Sequence, residues 1–135
     1  MAPWYNLEMK LPRYVKPLPR SFSRFWFKGF TVMFFKIIFL RREIFDNLQS
    51  NNPTIQNLSV LKHEESHLSR AGKLQALKYL FPKYHLKEEL IAYKEQLKFL
   101  KENNETYNLE NIANHLPGLD YQSAKKLLTK LWQES

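Results

Sequence analysis

Cysteine is absent from this 135-residue chain. That removes disulfides, thiolate nucleophiles and cysteine-based zinc sites together, so any metal must be held by His, Glu or Asp. Glycine is scarce, at three residues, which argues against a loop-rich or all-β chain. No secretory leader is evident: Met1 to Pro19 carries Pro3, Pro12, Pro17 and Pro19 and lacks an apolar central stretch. Long apolar runs are missing too. The stretch from Phe25 to Leu40 is interrupted by Lys28 and Lys36, and is too short and too charged to span a bilayer comfortably. Together these absences give the expectation of a soluble, cytoplasmic chain.

What is present suits one domain with one packed core, since 44% of residues are hydrophobic. The net charge of +8 is unevenly placed. Residues 1–44 hold nine Lys/Arg against Glu8 and Glu43, whereas residues 45–135 hold twelve against eleven acidic residues. The basic character therefore belongs to the N-terminal part. The division expected is a basic, proline- and aromatic-containing arm over residues 1–28 and a single domain over 29–135. Such an arm could touch nucleic acid or an acidic membrane surface; the simpler reading is a solvated arm on an ordinary domain.

Residues 1–20 are expected to be extended or irregular because of their prolines. Residues 30–45 are β-branched and aromatic, and suit one or two strands in a hairpin turning near Phe35-Lys36. Residues 46–54 read as a polar turn. Beyond Pro53, Ile55, Leu58, Leu61, Glu65 and Leu68 recur at three- and four-residue steps, which indicates a helix capped by Thr54 and stopped at Gly72. A second helical stretch covers Lys73–Leu80 and ends before Pro82. A third covers Leu86–Lys101 and breaks at Asn103-Asn104. A short one spans Leu109–His115 and stops at Pro117-Gly118. Asp120 caps a last amphipathic helix with Ala124, Leu127, Leu128, Leu131 and Trp132 on its apolar side. The expected fold class is α+β: a small N-terminal β-sheet or hairpin, then helices.

The chemistry lies in His63-Glu64-Glu65-Ser66-His67, inside the first of these helices. A spacing of four puts both imidazoles on one helix face, one turn apart, where two ring nitrogens can reach one metal ion. Glu64 projects beside that position and can take a proton from a metal-bound water. Zinc lowers the pKa of such a water to about 7, and a carboxylate base completes the nucleophile. A helical setting is the context this motif requires; the bland alternative is a pair of surface histidines.

A catalytic zinc usually takes a third protein ligand. A metzincin would have Gly at position 70 and His at position 73, where this chain has Arg70 and Lys73. Asp120, the only Asp after the motif, reads as a helix cap. Residues 88–96 are rich in glutamate, and Glu89-Leu90-Ile91-Ala92-Tyr93 matches the Glu-x-x-Ala-Tyr setting found on a later helix in the gluzincin clan. The chain resembles that clan, and its organisation over about residues 30–100 is similar to a minigluzincin, a minimal single-domain member. The likeness is motif-deep at His63, Glu64, His67 and Glu89, and architectural elsewhere.

The resemblance implies a zincin-like catalytic domain over 29–135 that binds one zinc ion. It implies His63, His67 and Glu89 as metal ligands, with Glu88 and His85 as alternative third ligands, and Glu64 as general base. Ala92 is expected to let the glutamate helix pack closely on the motif helix. An edge strand beside the metal, with residues 30–40 as the candidate, would let a peptide or protein substrate add as a further strand. Only residues 103–135 follow, so the cleft is expected to be shallow or partly closed, with the tail Leu131–Ser135 as a candidate cover of a latent enzyme. Oxyanion stabilisation needs a phenol or imidazole, for which Tyr93, Tyr107, His115 and Tyr121 are candidates. The expected function is zinc-dependent hydrolysis of peptide bonds. The alternative is a non-catalytic, zinc-containing binding module whose basic arm contacts nucleic acid or an acidic surface.

Overall fold

Val15–Pro17 forms the first strand, β1, in a computed structural model that describes residues 11–19, 21, 28–114 and 116–135. The stretch expected to be irregular thus contributes a strand in its described part. Its prolines do not prevent this, because β1 lies at an edge and pairs on one side only. Strands β2 (Gly29–Val32) and β3 (Ile37–Leu40) run antiparallel, and β1 lies parallel to β3, giving the order β1-β3-β2. The hairpin turn falls over Met33–Lys36, where expected, with Lys36 in the left-handed conformation (φ 55°).

The strand signal over 30–45 overreached. Pairing ends at Leu40, and Arg42–Gln49 forms helix α1 in place of further strand and polar turn. Ile44 and Leu48, four apart, are both buried against the sheet, so helical spacing serves the core where alternation would not. Asn47 Oδ1 then accepts from Thr54 N at 3.0 Å and from Asn57 Nδ2 at 2.9 Å, fastening α1 to the start of α2.

Helix α2 (Ile55–Ser69) begins at Thr54, whose hydroxyl accepts from Asn57 N, and gives way at Arg70 to a short link before α3 (Lys73–Lys78). Helix α4 (Pro82–Glu102) starts four residues before the expected Leu86. Pro82 ends one helix and opens the next: Phe81 is extended, as residues before proline prefer, and Pro82 occupies the first turn, where its missing N–H costs nothing. Helix α5 (Leu109–Ala113) and helix α6 (Tyr121–Glu134) complete the chain, α6 being capped by Asp120 through Ser123 N. The expected extension of α5 to His115 reaches a residue outside those described. The architecture is α+β: a three-stranded sheet followed by six helices among the described residues. None of these helices is long and apolar enough to cross a membrane.

Two apolar clusters flank the α2–α4 pair. The sheet, α1 and α2 share Val15, Ile38, Leu40, Ile44, Leu48 and Leu58. On the other side Ile112, Leu116, Ala124 and Leu128 pack with Leu90 and Tyr93 of α4. The paired helices are antiparallel, since Ser59 meets Gln96 (3.2 Å) while His67, two turns on, meets Glu88 (3.3 Å). Ala92 lies between those contacts and is fully buried, as a close helix approach requires.

Gly29 opens β2 where a side chain has no room: a Cβ there would stand 2.8 Å from both Leu40 Cδ2 and the Phe39 carbonyl oxygen. Gly29→Ala is therefore expected to destabilise the fold by roughly 1–3 kcal/mol, read as a lower urea midpoint. An unchanged midpoint would mean that β2 does not sit this close to β3.

Candidate metal centre

Helix periodicity gathers the site. His63 and His67 face α4 from successive turns of α2, and α4 answers with Glu88, Glu89 and Tyr93. Glu89 presents one carboxylate oxygen to each imidazole: Oε2 lies 3.2 Å from His63 Nε2, and Oε1 lies 3.1 Å from His67 Nε2. Donors about 2.0–2.1 Å from a tetrahedral zinc stand about 3.3 Å apart. The observed separations are of that size and also of hydrogen-bonding length, each nitrogen facing a different oxygen of Glu89.

Hydrogen bonding on the outer side of His67 bears on the state of its inner nitrogen. Arg70 Nε donates to Glu88 at 2.8 and 3.1 Å, and His67 Nδ1 lies 3.3 Å from Glu88 Oε2. Burial pushes the Glu88 carboxyl up, but the hydrogen bonds from Arg70 and His67 outweigh it and hold the group below the usual range. An ionised Glu88 only accepts, so the Nδ1 of His67 carries the proton. In neutral His67 the Nε2 lone pair then faces Glu89 Oε1, an arrangement that needs a proton or a metal ion in between. This is also the outer-shell pattern that orients metal-binding histidines. The Glu89 carboxyl is pushed up by burial and pulled down further by hydrogen bonds to His63 and His67, leaving it ionised.

His63, Glu64 and His67 also offer donor atoms that all lie within 4.8 Å of one another. Glu64 differs from Glu89 in its partners. It is buried, and Thr31 on β2 donates to its backbone oxygen at 3.1 Å, with Oε1 at 3.4 Å. Burial raises its carboxyl above the ordinary value, and the nearby imidazoles draw it part of the way back. Glu64 is thereby left beside both imidazoles with its carboxyl raised, while Glu89 faces their Nε2 atoms. Of the other expected third ligands, Glu88 is engaged with Arg70 on the outer side of His67, and His85 Nε2 stands 4.0 Å from Glu89 Oε1 in the same cavity.

His63, Glu64, His67 and Glu89 line a cavity of about 630 Å³. Gly29, Phe30, Thr31 and Met33 form one wall, and Tyr79, His85 and Tyr93 another. Of the residues expected for oxyanion stabilisation, Tyr93 packs its ring against His63 (centroids 4.3 Å apart) and Tyr107 lines the cavity, its hydroxyl accepting from Gln96. Tyr121 packs with α5 and α6 and is not part of the lining, while His115 lies outside the described residues. None of Leu131–Ser135 lines the cavity: Leu131 borders a separate surface depression with Lys83, Leu86 and Leu90, and Trp132 O accepts from Lys101.

Sequence reasoning missed Tyr79. Its hydroxyl donates to Glu89 Oε1 at 2.7 Å and its ring lies 3.9 Å from that of His85. Thr31 and Arg70 were missed as well, since contacts 33 and 18 residues apart leave no periodic trace. Comparison of the chain with protein-family models, with curated proteins and with solved structures gave no match.

Two zinc titrations follow. Glu88→Gln frees His67 Nδ1 from a charged acceptor and is expected to weaken zinc binding about 10–100-fold, whereas Glu89→Ala should abolish stoichiometric binding; equal affinities for Glu88→Gln and the parent would contradict the relay. The carboxylates also lift His67 above its ordinary pKa of 6.5, despite burial pulling the other way. Zinc needs the unprotonated nitrogen, so affinity should rise with pH through neutrality, with proton release on binding. A pH-independent affinity over that range would refute this ordering of charges.

Proposed function

We propose that the chain is a zinc-dependent peptidase of gluzincin type. The observation that carries the reading is one carboxylate, Glu89, facing the Nε2 atoms of both His63 and His67, with the buried Glu64 beside them and held from β2. When bound, zinc would supply a Lewis acid and an acidified water. In this reading His63, His67 and Glu89 hold the ion, and Arg70 with Glu88 keeps His67 presenting Nε2.

Glu64 takes a proton from the attacking water at its carboxylate oxygen, then hands it to the departing amine nitrogen. Its raised affinity for protons suits both halves of that cycle. Tyr79 orients Glu89 through the hydrogen bond to Oε1.

Strand β2 supports a peptide as the substrate. Lys28 O accepts from Arg41 N, which puts the hydrogen-bonded pairs of the hairpin at alternate positions. The backbone groups of Gly29 and Thr31 therefore point away from β3, on an edge with no strand partner among the described residues. Gly29 and Thr31 also line the cavity. An extended peptide can add along that edge and bring its carbonyl to the metal position.

Glu64→Gln should keep zinc and lower peptide cleavage by about 100-fold or more. Incubation with a mixed peptide library, followed by mass spectrometry, reads this directly. Cleavage by the variant at the parent rate would disprove the base; a parent that holds zinc and cuts no peptide would favour the non-catalytic module.

A further inference from the structure

Helix α3 and the junction to α4 leave an unusual surface. Leu74, Leu77, Leu80 and Phe81 are 64%, 61%, 79% and 62% exposed, and α3 has no buried residue. Ring contacts join this segment to the hairpin turn. Lys73 Nζ lies 5.7 Å from the Phe34 ring centre, Phe34 meets Phe35 at 5.0 Å, and Lys78 Nζ lies 5.8 Å from Tyr84, which meets Phe81 at 6.5 Å. Phe34 and Phe35 are themselves half or more exposed. The result is a set of exposed apolar and aromatic side chains on two neighbouring segments, linked through Lys73 over Phe34 and with Lys78 beside Tyr84.

Lys73 and Lys78 supply the charge along this segment, and the chain from Ser66 to Lys87 holds no Asp or Glu; Arg70 in that stretch is paired with Glu88. Exposed Leu and Phe rimmed by Lys is the composition of a helix lying in the interface of an anionic bilayer, with apolar side chains in the acyl boundary and ammonium groups among the headgroups. A nucleic-acid surface would match the charge but leave the leucines without apolar surroundings. Six residues make a helix about 9 Å long, which can lie in an interface and cannot cross it.

We propose that Phe34-Phe35, α3 and the α3–α4 junction form a docking surface for an anionic lipid bilayer. Met33, Tyr79 and His85, from the same turn and junction, line the cavity, so the docked chain would hold the cleft mouth next to the lipid surface. Docking does not depend on the hydrolytic reading.

The test uses the full chain and vesicle co-sedimentation, with phosphatidylcholine alone and with added phosphatidylglycerol. The parent should sediment with the anionic vesicles, remain free of the neutral ones, and lose affinity as salt rises. Lys73→Glu/Lys78→Glu should weaken binding at least about tenfold, while Lys126→Glu/Lys130→Glu, with the same net charge but on α6, should bind like the parent. Leu77→Ser/Leu80→Ser/Phe81→Ser should also lose binding while keeping the parent's far-ultraviolet circular dichroism. Equal losses in both lysine pairs would overturn the proposal, because binding would then follow net charge alone. So would parent-like vesicle binding by the two patch variants, no binding by the parent, or tighter parental binding to duplex DNA that the leucine variant retains.

Discussion

The antiparallel packing of α2 on α4 is the constraint on which the rest of the structure depends. It sets two imidazoles from successive turns against two adjacent glutamates, and Ala92 lets the axes approach closely enough for the contacts to form. Further along the same interface, Gln96 donates to Ser59 and to Tyr107, so the polar stripe is hydrogen-bonded beyond the histidines. The sheet then lies across α2, with Thr31 reaching Glu64. Helices α5 and α6 brace the other side of α4 through an apolar cluster of their own.

Burying several ionisable side chains together is unfavourable unless their charges are matched and their hydrogen bonds completed. Here the match is built in layers. Arg70 neutralises Glu88, Glu88 engages the outer nitrogen of His67, and the inner nitrogens of both histidines converge on Glu89. A proton on His67, whose pKa its carboxylate neighbours raise, or a cation between the inner nitrogens and Glu89 would complete such a set. Glu64 differs, with the Thr31 hydroxyl and, among the described residues, no Arg or Lys as partner in hydrogen bonding. Two neighbouring carboxylates thereby differ in proton affinity, the condition under which one can bind and the other transfer protons.

Much of this was legible in the sequence, and the parts that were not share a physical reason. The helix with His63 and His67, its Thr54 cap and the last helix with its Asp120 cap could be read because cap chemistry and periodicity are local signals. The pairing of Glu89 with both histidines was anticipated through the gluzincin resemblance, not from spacing alone. Helix α1 was misread because Ile44 and Phe45 carry strand propensity, which the tertiary demand to bury Ile44 and Leu48 overrides. Strand β1 and the roles of Thr31, Arg70 and Tyr79 depend on contacts between distant segments, which leave no pattern along the chain.

In the proposed reading two histidines and Glu89 make the metal centre, and Glu64 is left free to move protons. Zinc-edge anomalous diffraction from crystals grown with zinc tests it most directly. One ion per chain is expected, about 2.0–2.1 Å from His63 Nε2, His67 Nε2 and a Glu89 oxygen, with Glu64 outside the coordination sphere. Zinc bound through Glu64 or His85 in place of Glu89, or no ordered zinc between the two helices, would contradict it.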